Sequence, residues 1–288
     1  MEPDIQEIEK LLEENKIIID QNNLNQYFIK DKSLLKRIVD AASISRDDVV
    51  FEIGTGIGNL TEHIVDRARF VYSTELDIRF KPILDKLCEK HDNLRIVYGN
   101  ALKIEWPKFT KLVSSIPYNI AEPLLLKLID QEFESCTLVV SKHFADLITS
   151  ENEHRLSAII PCFFKVMLLE IIPPSAFYPT PKIDSAMIVI KPLEKGQILR
   201  NPIGYLICEI FKRRYSKLKN SLMNAMIVWT AKMKGKILTK RKSREFIANL
   251  NLDQKILEKV VDNMSGKEFK FLSDHLRNRI EGIYSYCA

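Results

Sequence analysis

One segment of this 288-residue chain constrains its fold more than any other: Val50-Phe51-Glu52-Ile53-Gly54-Thr55-Gly56-Ile57-Gly58-Asn59-Leu60-Thr61. An apolar run that reads as a strand enters a glycine turn, and a helix follows. Nineteen residues beyond Gly56 stands Glu75, closing a second apolar run, Phe70-Val71-Tyr72-Ser73-Thr74. This is the pattern by which a Rossmann-like fold holds an adenosine-bearing ligand. The glycines let the backbone come close, and the acid accepts hydrogen bonds from ribose hydroxyls. The spacing Gly54-x-Gly56-x-Gly58 is tighter than the dinucleotide pattern G-x-G-x-x-G. It suits S-adenosyl-L-methionine, which has no pyrophosphate to cradle. Because a glycine turn can also serve close packing alone, a second signal is needed.

That signal is Val113-Ser114-Ser115-Ile116-Pro117-Tyr118-Asn119, placed after a further apolar run. Ser115-Ile116-Pro117-Tyr118 matches the pattern of methyltransferases acting on exocyclic amines of bases. The chemistry accounts for the residue types. An adenine amino nitrogen is a poor nucleophile, since its lone pair is delocalised into the ring. The Ser115 side chain and the Ile116 carbonyl can accept hydrogen bonds from the amine, and Tyr118 offers a face for a flipped-out base. Pro117 stiffens the turn that aims these groups.

Periodicity places strands at 48–53, 70–75, 94–98, 111–115, 136–141, 166–172 and 185–191. Helices are expected at 33–43, 59–67, 79–90, 120–130, 142–149 and 155–164. Such alternation predicts an α/β fold built of right-handed βαβ units, a mostly parallel seven-stranded sheet. The last two strands, joined by the short Pro-rich link 173–184, are expected as an antiparallel pair at the sheet edge. Composition changes at Lys195-Gly196. Beyond it, 202–214, 216–231, 242–250, 253–262 and 267–284 read as helices. The expected organisation is therefore an N-terminal extension at 1–22, a Rossmann-like catalytic domain at 23–194 and a small α-helical domain at 195–288.

Charge divides the same way. The overall formal charge is +5. Residues 195–288 carry 20 Lys and Arg against 8 Asp and Glu, which leaves 23 against 30 for residues 1–194. A basic module on an acidic one points to a polyanionic substrate. Arg213, Arg214, Lys217 and Lys219 read as one basic helix, with Arg213 and Lys217 on a shared face, contacting phosphates. Lys182 in the Pro-rich link is a further candidate for RNA, and Lys240-Arg241-Lys242 with Arg244 adds a second basic run. The five cysteines are widely spaced without a C-x-x-C, as in a reduced cytoplasmic protein, and the five histidines lack metal-ligand spacing. The acidic N-terminus does not read as a signal peptide, and no apolar run is long enough to span a membrane.

The residues resemble the KsgA-type ribosomal RNA adenine dimethyltransferases and, more distantly, the Erm resistance methylases. The resemblance covers roughly 23–225. Asn25-Gln26-Tyr27-Phe28-Ile29 is similar to the family's cofactor-lining segment, and Phe51 to Gly56 to its glycine motif. Thr74-Glu75-Leu76-Asp77 carries the ribose-binding acid, and Gly99-Asn100-Ala101 resembles the Gly-Asp-Ala segment near the adenine ring. Arg155-Leu156-Ser157 matches a further motif. The longest match is Pro173-Pro174-Ser175-Ala176-Phe177-Tyr178-Pro179-Thr180-Pro181-Lys182-Ile183-Asp184-Ser185-Ala186. Phe211-Lys212-Arg213-Arg214-Tyr215-Ser216-Lys217 resembles the helix that opens the family's small domain.

This resemblance implies a class I methyltransferase fold with S-adenosyl-L-methionine as cofactor. Its pocket would be built from Gln26, Tyr27, Ile29, Gly54, Gly56, Glu75, Asn100 and Ser115. Ser115, Ile116, Pro117 and Tyr118 would act on the target adenine, with Phe177 closing its other face. It also implies a monomer working on small-subunit ribosomal RNA or a partly assembled small subunit, in ribosome biogenesis. Three positions depart from the family: Asn100 for Asp, Ser115 for Asn, and Tyr27 for a small polar residue. They leave two other readings open, a catalytically weak RNA-binding assembly factor and a methylase of large-subunit RNA.

Overall fold

The computed structural model describes residues 5–20, 26–149, 155–193, 202–235 and 237–279. The expected domain boundary at 194–195 lies outside them. By its internal contacts the chain divides into two compact units, residues 1–146 with 166–192, and 147–165 with 193–288. Residues 147–165 thus group with the C-terminal helices, although they precede two strands of the sheet.

The first unit is built on a seven-stranded sheet. Its strands are β2 (Val49–Ile53), β3 (Phe70–Glu75), β4 (Leu94–Tyr98), β5 (Lys111–Ser115), β6 (Ser135–Ser141), β7 (Phe164–Ile172) and β9 (Ser185–Pro192). Their order is β4-β3-β2-β5-β6-β9-β7. β2 pairs in parallel with β3 and with β5, β5 in parallel with β6, and β9 antiparallel with β6. The last two strands lie side by side at the edge, with β7 outermost. The central strands are continuous apolar runs because both faces are covered; Val50, Phe51, Leu112, Val113, Val139 and Val140 are fully buried.

Between β2 and β5 the direction of winding reverses. From β2 the chain proceeds through β3 to β4 on one side, then returns to β5 on the other. The turns after β2 and after β5 therefore open side by side at the carboxyl ends of the strands, where α/β sheets bind ligands. Ser114 Oγ donates to the Ile53 carbonyl and ties the two strand ends together.

Helices α2 (Lys32–Ala42), α3 (Asn59–Val65), α4 (Lys81–Lys90), α5 (Ala121–Leu128) and α6 (Lys142–Thr149) connect or flank the strands. α2 is started by Asp31, whose carboxylate accepts from the Ser33 and Leu34 backbone N–H groups. Leu34, Leu35, Ile38 and Val39 then fall on its buried face. A second, two-stranded pairing joins β1 (Phe28–Ile29) to β8 (Phe177–Tyr178). It brings the Pro-rich link onto the start of the domain.

The N-terminal segment is not a separate extension. Helix α1 (Ile5–Glu14) buries Ile8 and Leu12, and Ile17 follows them into the same core. Tyr178 donates to Glu9, and Arg79 donates to the Ile18 carbonyl.

The second unit holds α7 (Arg155–Ile159), α8 (Pro202–Phe211), α9 (Leu218–Lys234), α10 (Lys240–Asn249), α11 (Gln254–Glu258) and α12 (Gly266–Arg277); α7 and α12 pack on α8 and on each other, and α9 packs on α8, α10 and α11. Four residues separate the end of α7 from β7, so the helix expected over 155–164 is shorter; Pro161 removes an N–H donor there. α8 is apolar on nearly every side and forms the centre, with Phe211 edge-on to Phe269 at 6.0 Å. Trp229 is fully buried and donates its indole N–H to the Pro202 carbonyl at 2.8 Å. No helix among the described residues is long and apolar enough to cross a membrane.

If α1 is part of the core, Leu12→Ala leaves a cavity and should cost about 2–4 kcal/mol of unfolding free energy. Urea denaturation measures this; a frayed extension would show no change in midpoint.

Candidate functional site

The turns after β2 and β5 face one cavity, lined among others by Gln26, Tyr27, Ile29, Gly54, Gly56, Glu75, Asn100, Ser115, Ile116, Pro117, Tyr118 and Phe177. The structure thus gathers every residue expected to bind cofactor or target base into one place within the first unit. Segments separated by up to about 150 residues reach it because the switch point, the β3 end and the β1–β8 pair all open on the same side.

Gly54 and Gly56 have φ of +83° and +58°, which L side chains rarely adopt. A Cβ on Gly56 would also stand 3.1 Å from the Phe28 ring. The turn is fastened to β3: the Gly54 and Thr55 N–H groups donate to the Thr74 carbonyl at 2.8 and 3.1 Å. Glu75, only 6% exposed, accepts from the Gly56 N–H and from the Asp77 N–H, both at 2.7 Å. Burial pushes its carboxyl above the usual range despite those two donors.

Beneath the turn lies a carboxyl to which the sequence reading gave no role. Glu52 is 1% exposed and accepts from Thr61 Oγ1 and Ser73 Oγ, both at 2.7 Å. Thr55 Oγ1 joins this cluster through Ser73 Oγ at 2.6 Å. Burial dominates and pushes Glu52 up to about 7. Its signal in the sequence is a lone acid inside an apolar strand run.

Gln26 links two segments. Its side-chain carbonyl accepts from the Asp20 N–H, and its amide donates to Asp77 at 2.8 Å. Burial would raise Asp77, but Arg79 and Gln26 outweigh it and hold the carboxyl below its ordinary value. Asn100 Oδ1 accepts from the Leu102 N–H at 2.9 Å.

On the β5 side, the Ile116 N–H donates to Val139 at 3.2 Å, and the Ile116 side chain is buried. Tyr118 opens a 3₁₀ turn, Tyr118–Ile120. Its ring lies against Tyr27, with centroids 5.9 Å apart and planes inclined by 20°. Its hydroxyl meets the Ser185 hydroxyl at 2.6 Å. Burial raises the Tyr118 hydroxyl above its ordinary value, with the Ser185 hydrogen bond opposing. Phe177 lines the cavity but is almost wholly buried; the ring on the face of Tyr118 is Tyr27.

The expected phosphate contacts fall differently. Arg213, Arg214, Lys217 and Lys219 do not share one helix: α8 ends at Phe211, residues 212–217 form a turn, and α9 begins at Leu218. Arg213 is 3.4 Å from Glu209, while Lys217 and Lys219 both close on Glu258. Arg214 is buried, its guanidinium over the Phe211 and Tyr215 rings. Lys182, Lys240, Arg241, Lys242 and Arg244 are exposed. The Arg155 side chain lies outside the described residues. Among the described residues no group of His, Cys, Asp and Glu is placed to hold a metal ion.

A glycine turn and a buried acid at a Rossmann-type switch point, facing a Ser-Ile-Pro-Tyr turn, define a class I S-adenosylmethionine-dependent methyltransferase. A family model for ribosomal RNA adenine dimethylase matches residues 20–262, and the chain belongs to that family. Among curated relatives, a protein from Methanosarcina acetivorans named "probable ribosomal RNA small subunit methyltransferase A" is 34% identical, over 73% of this chain and 80% of its own. Its namesake from Thermococcus kodakarensis is 35% identical over 77% of this chain and 78% of its own. The crystal structure of a dimethyladenosine transferase from Plasmodium falciparum aligns with TM-score 0.59 and 26% identity, over 88% of this chain and 98% of that one. The 23S rRNA methyltransferase ErmE shares the fold with TM-score 0.56 at 24% identity, over 87% of this chain and 99% of that one. The chain is an enzyme acting on ribosomal RNA, with S-adenosylmethionine as cofactor.

Glu52 gives this site a pH signature. Its folded value, about 7, lies above the ordinary 4.5, so the folded state binds the extra proton and the stabilisation is present at low pH. It is lost as pH rises through that window. Compared with Glu52→Gln, the wild type should lose about 3 kcal/mol between pH 4 and pH 8. Denaturant midpoints of the two proteins across that range measure it; parallel pH profiles would refute it.

Proposed function

We propose that this chain places two methyl groups on N6 of adenines near the 3′ end of small-subunit ribosomal RNA, as a monomer in the cytoplasm. The observation that carries this reading is the shared cavity: the Ser115–Tyr118 turn and the Gly54–Gly56 turn open into one space. The residues fit the cofactor. Positive φ at both glycines leaves a cradle of backbone without side chains, and the buried Glu75 carboxylate stands at its rim. When bound, S-adenosylmethionine supplies an electrophilic methyl on a sulfonium.

In this reading Glu75 accepts the ribose hydroxyls, while Gln26, Tyr27 and Ile29 wall the pocket. Asn100 uses its amide toward the adenine ring; its Oδ1 is already engaged by Leu102. The Ser115 hydroxyl and the Ile116 carbonyl accept the N–H groups of the target amine and turn its lone pair toward the cavity. Tyr118 stacks on the flipped base, and Pro117 and Phe177 hold the walls. Orientation and electrostatics carry the rate gain, and no strong general base is required.

The second unit supports RNA binding by charge. Lys212, Arg213, Lys217 and Lys219 place four cations around two carboxylates, Glu209 and Glu258, so the local surface stays positive. Lys182 and the exposed run on α10 supply cations at other places. If Lys217 and Lys219 touch phosphates, replacing both with Ala should lower the salt dependence of RNA binding by up to about two phosphate contacts. An unchanged slope would assign them to Glu258 alone.

Labelled S-adenosylmethionine and unmethylated small ribosomal subunits, followed by nucleoside mass spectrometry, test the whole reading. The expected product is dimethyladenosine. Tyr118→Ala should lower its rate by about 10- to 100-fold, the equivalent of one lost base stack. No product despite intact cofactor and subunit binding would favour the assembly-factor reading, which the departures at Tyr27, Asn100 and Ser115 motivate.

A further inference from the structure

Tyr118 sits on a short turn, yet a base-stacking ring must be held still. Two contacts hold it. The ring tip is fixed by the Ser185 hydroxyl at 2.6 Å, and the ring face is covered by Tyr27 at 5.9 Å. These restraints are different in kind. The phenol oxygen lies on the ring's own rotation axis, so the hydrogen bond fixes where the tip lies and leaves the plane free. The stacked ring sets the plane.

The two contacts also differ in permanence. Bases stacked along a nucleic-acid strand are spaced about 3.4 Å apart, so a base held at that spacing between two rings needs about 6.8 Å of separation. The Tyr27 and Tyr118 centroids are closer than that. A base landing on this face therefore displaces Tyr27, and the restraint that Tyr27 supplies leaves with it. Ser185 does not leave. It is fully buried, it opens β9, and its backbone pairs with Ser141 of β6, so its hydroxyl is placed by the sheet rather than by a loop.

We infer that Ser185 is a positioning residue for base capture, whose hydroxyl holds the Tyr118 ring in place while its stacking partner changes from Tyr27 to the target adenine. The inference rests on the methyltransferase reading above and adds to it a residue that does not line the cavity.

The test uses the full chain. Ser185→Ala should lower kcat/KM for small ribosomal subunits about tenfold while leaving the dissociation constant of S-adenosylmethionine within twofold. Tyr118→Phe should behave alike, and the double variant should lose nothing beyond either single one. A second readout needs neither RNA nor methyl transfer. In protein labelled with 3-fluorotyrosine, the Tyr118 ¹⁹F resonance, identified by its absence in Tyr118→Phe, should shift or broaden in Ser185→Ala. Losses that multiply in the double variant, a parallel loss of cofactor affinity, or an unchanged ¹⁹F signal would each overturn the role of Ser185. Absence of methyl transfer by the wild type, with the ¹⁹F change intact, would overturn the proposed function and leave the Ser185 contact standing.

Discussion

The buried carboxyl of Glu52 is the interaction on which the site depends. It sits at the penultimate position of β2 and accepts from Thr61 in α3 and Ser73 in β3. A single side chain thus joins the strand before the glycine turn, the helix after it and the neighbouring strand that ends in Glu75. A buried polar group is tolerated only when its hydrogen bonds are made, and a satisfied network admits one arrangement of its parts. The backbone above it then has little choice. The positive φ values at Gly54 and Gly56 and the anchoring of the turn on Thr74 follow from where Glu52 holds the ends.

The same cluster places two acids close together in a region of low polarity. Burial raises both Glu52 and Glu75; the Glu75 carboxylate makes Glu52 harder still to ionise, and Asp77 does the same to Glu75. The backbone N–H groups of Gly56 and Asp77 are the counterweight at Glu75. At Glu52 only two hydroxyls serve. The rim acid is thus better equipped to carry charge than the acid below it, which suits one to a ligand's hydroxyls and the other to a structural role.

Much of the fold was legible because the central strands are largely buried and read as mostly apolar runs; β3 and β5 span 70–75 and 111–115 as expected, and the edge strand β4, whose residues alternate in burial, spans 94–98 as expected. The two-residue strands β1 and β8 were not, since two residues carry no periodicity. The cavity residues were legible through motifs with local spacing. Contacts made across the fold were not: nothing in the chain announces that Tyr27 meets Tyr118, or that Ser185, 67 residues further on, reaches the same ring. The basic cluster shows both cases. Glu209 stands four residues before Arg213, so that pairing could be read from helical spacing. Glu258, about 40 residues beyond Lys217 and Lys219, could not, and a count of charges overstated what is free.

The stacking of Tyr27 on Tyr118 has an energetic consequence for the choice of substrate. An aromatic side chain attached to the wall of its own pocket is a competitor that never dilutes. Tethered groups act at effective concentrations in the millimolar range. A purine diffusing alone meets that competition with one stacking face and loses. A purine already held by the docking of a large RNA arrives at a comparable local concentration and meets it on equal terms. In the proposed reading, a base landing on that face meets in the ring of Tyr27 a threshold that favours an anchored substrate over a small nucleoside.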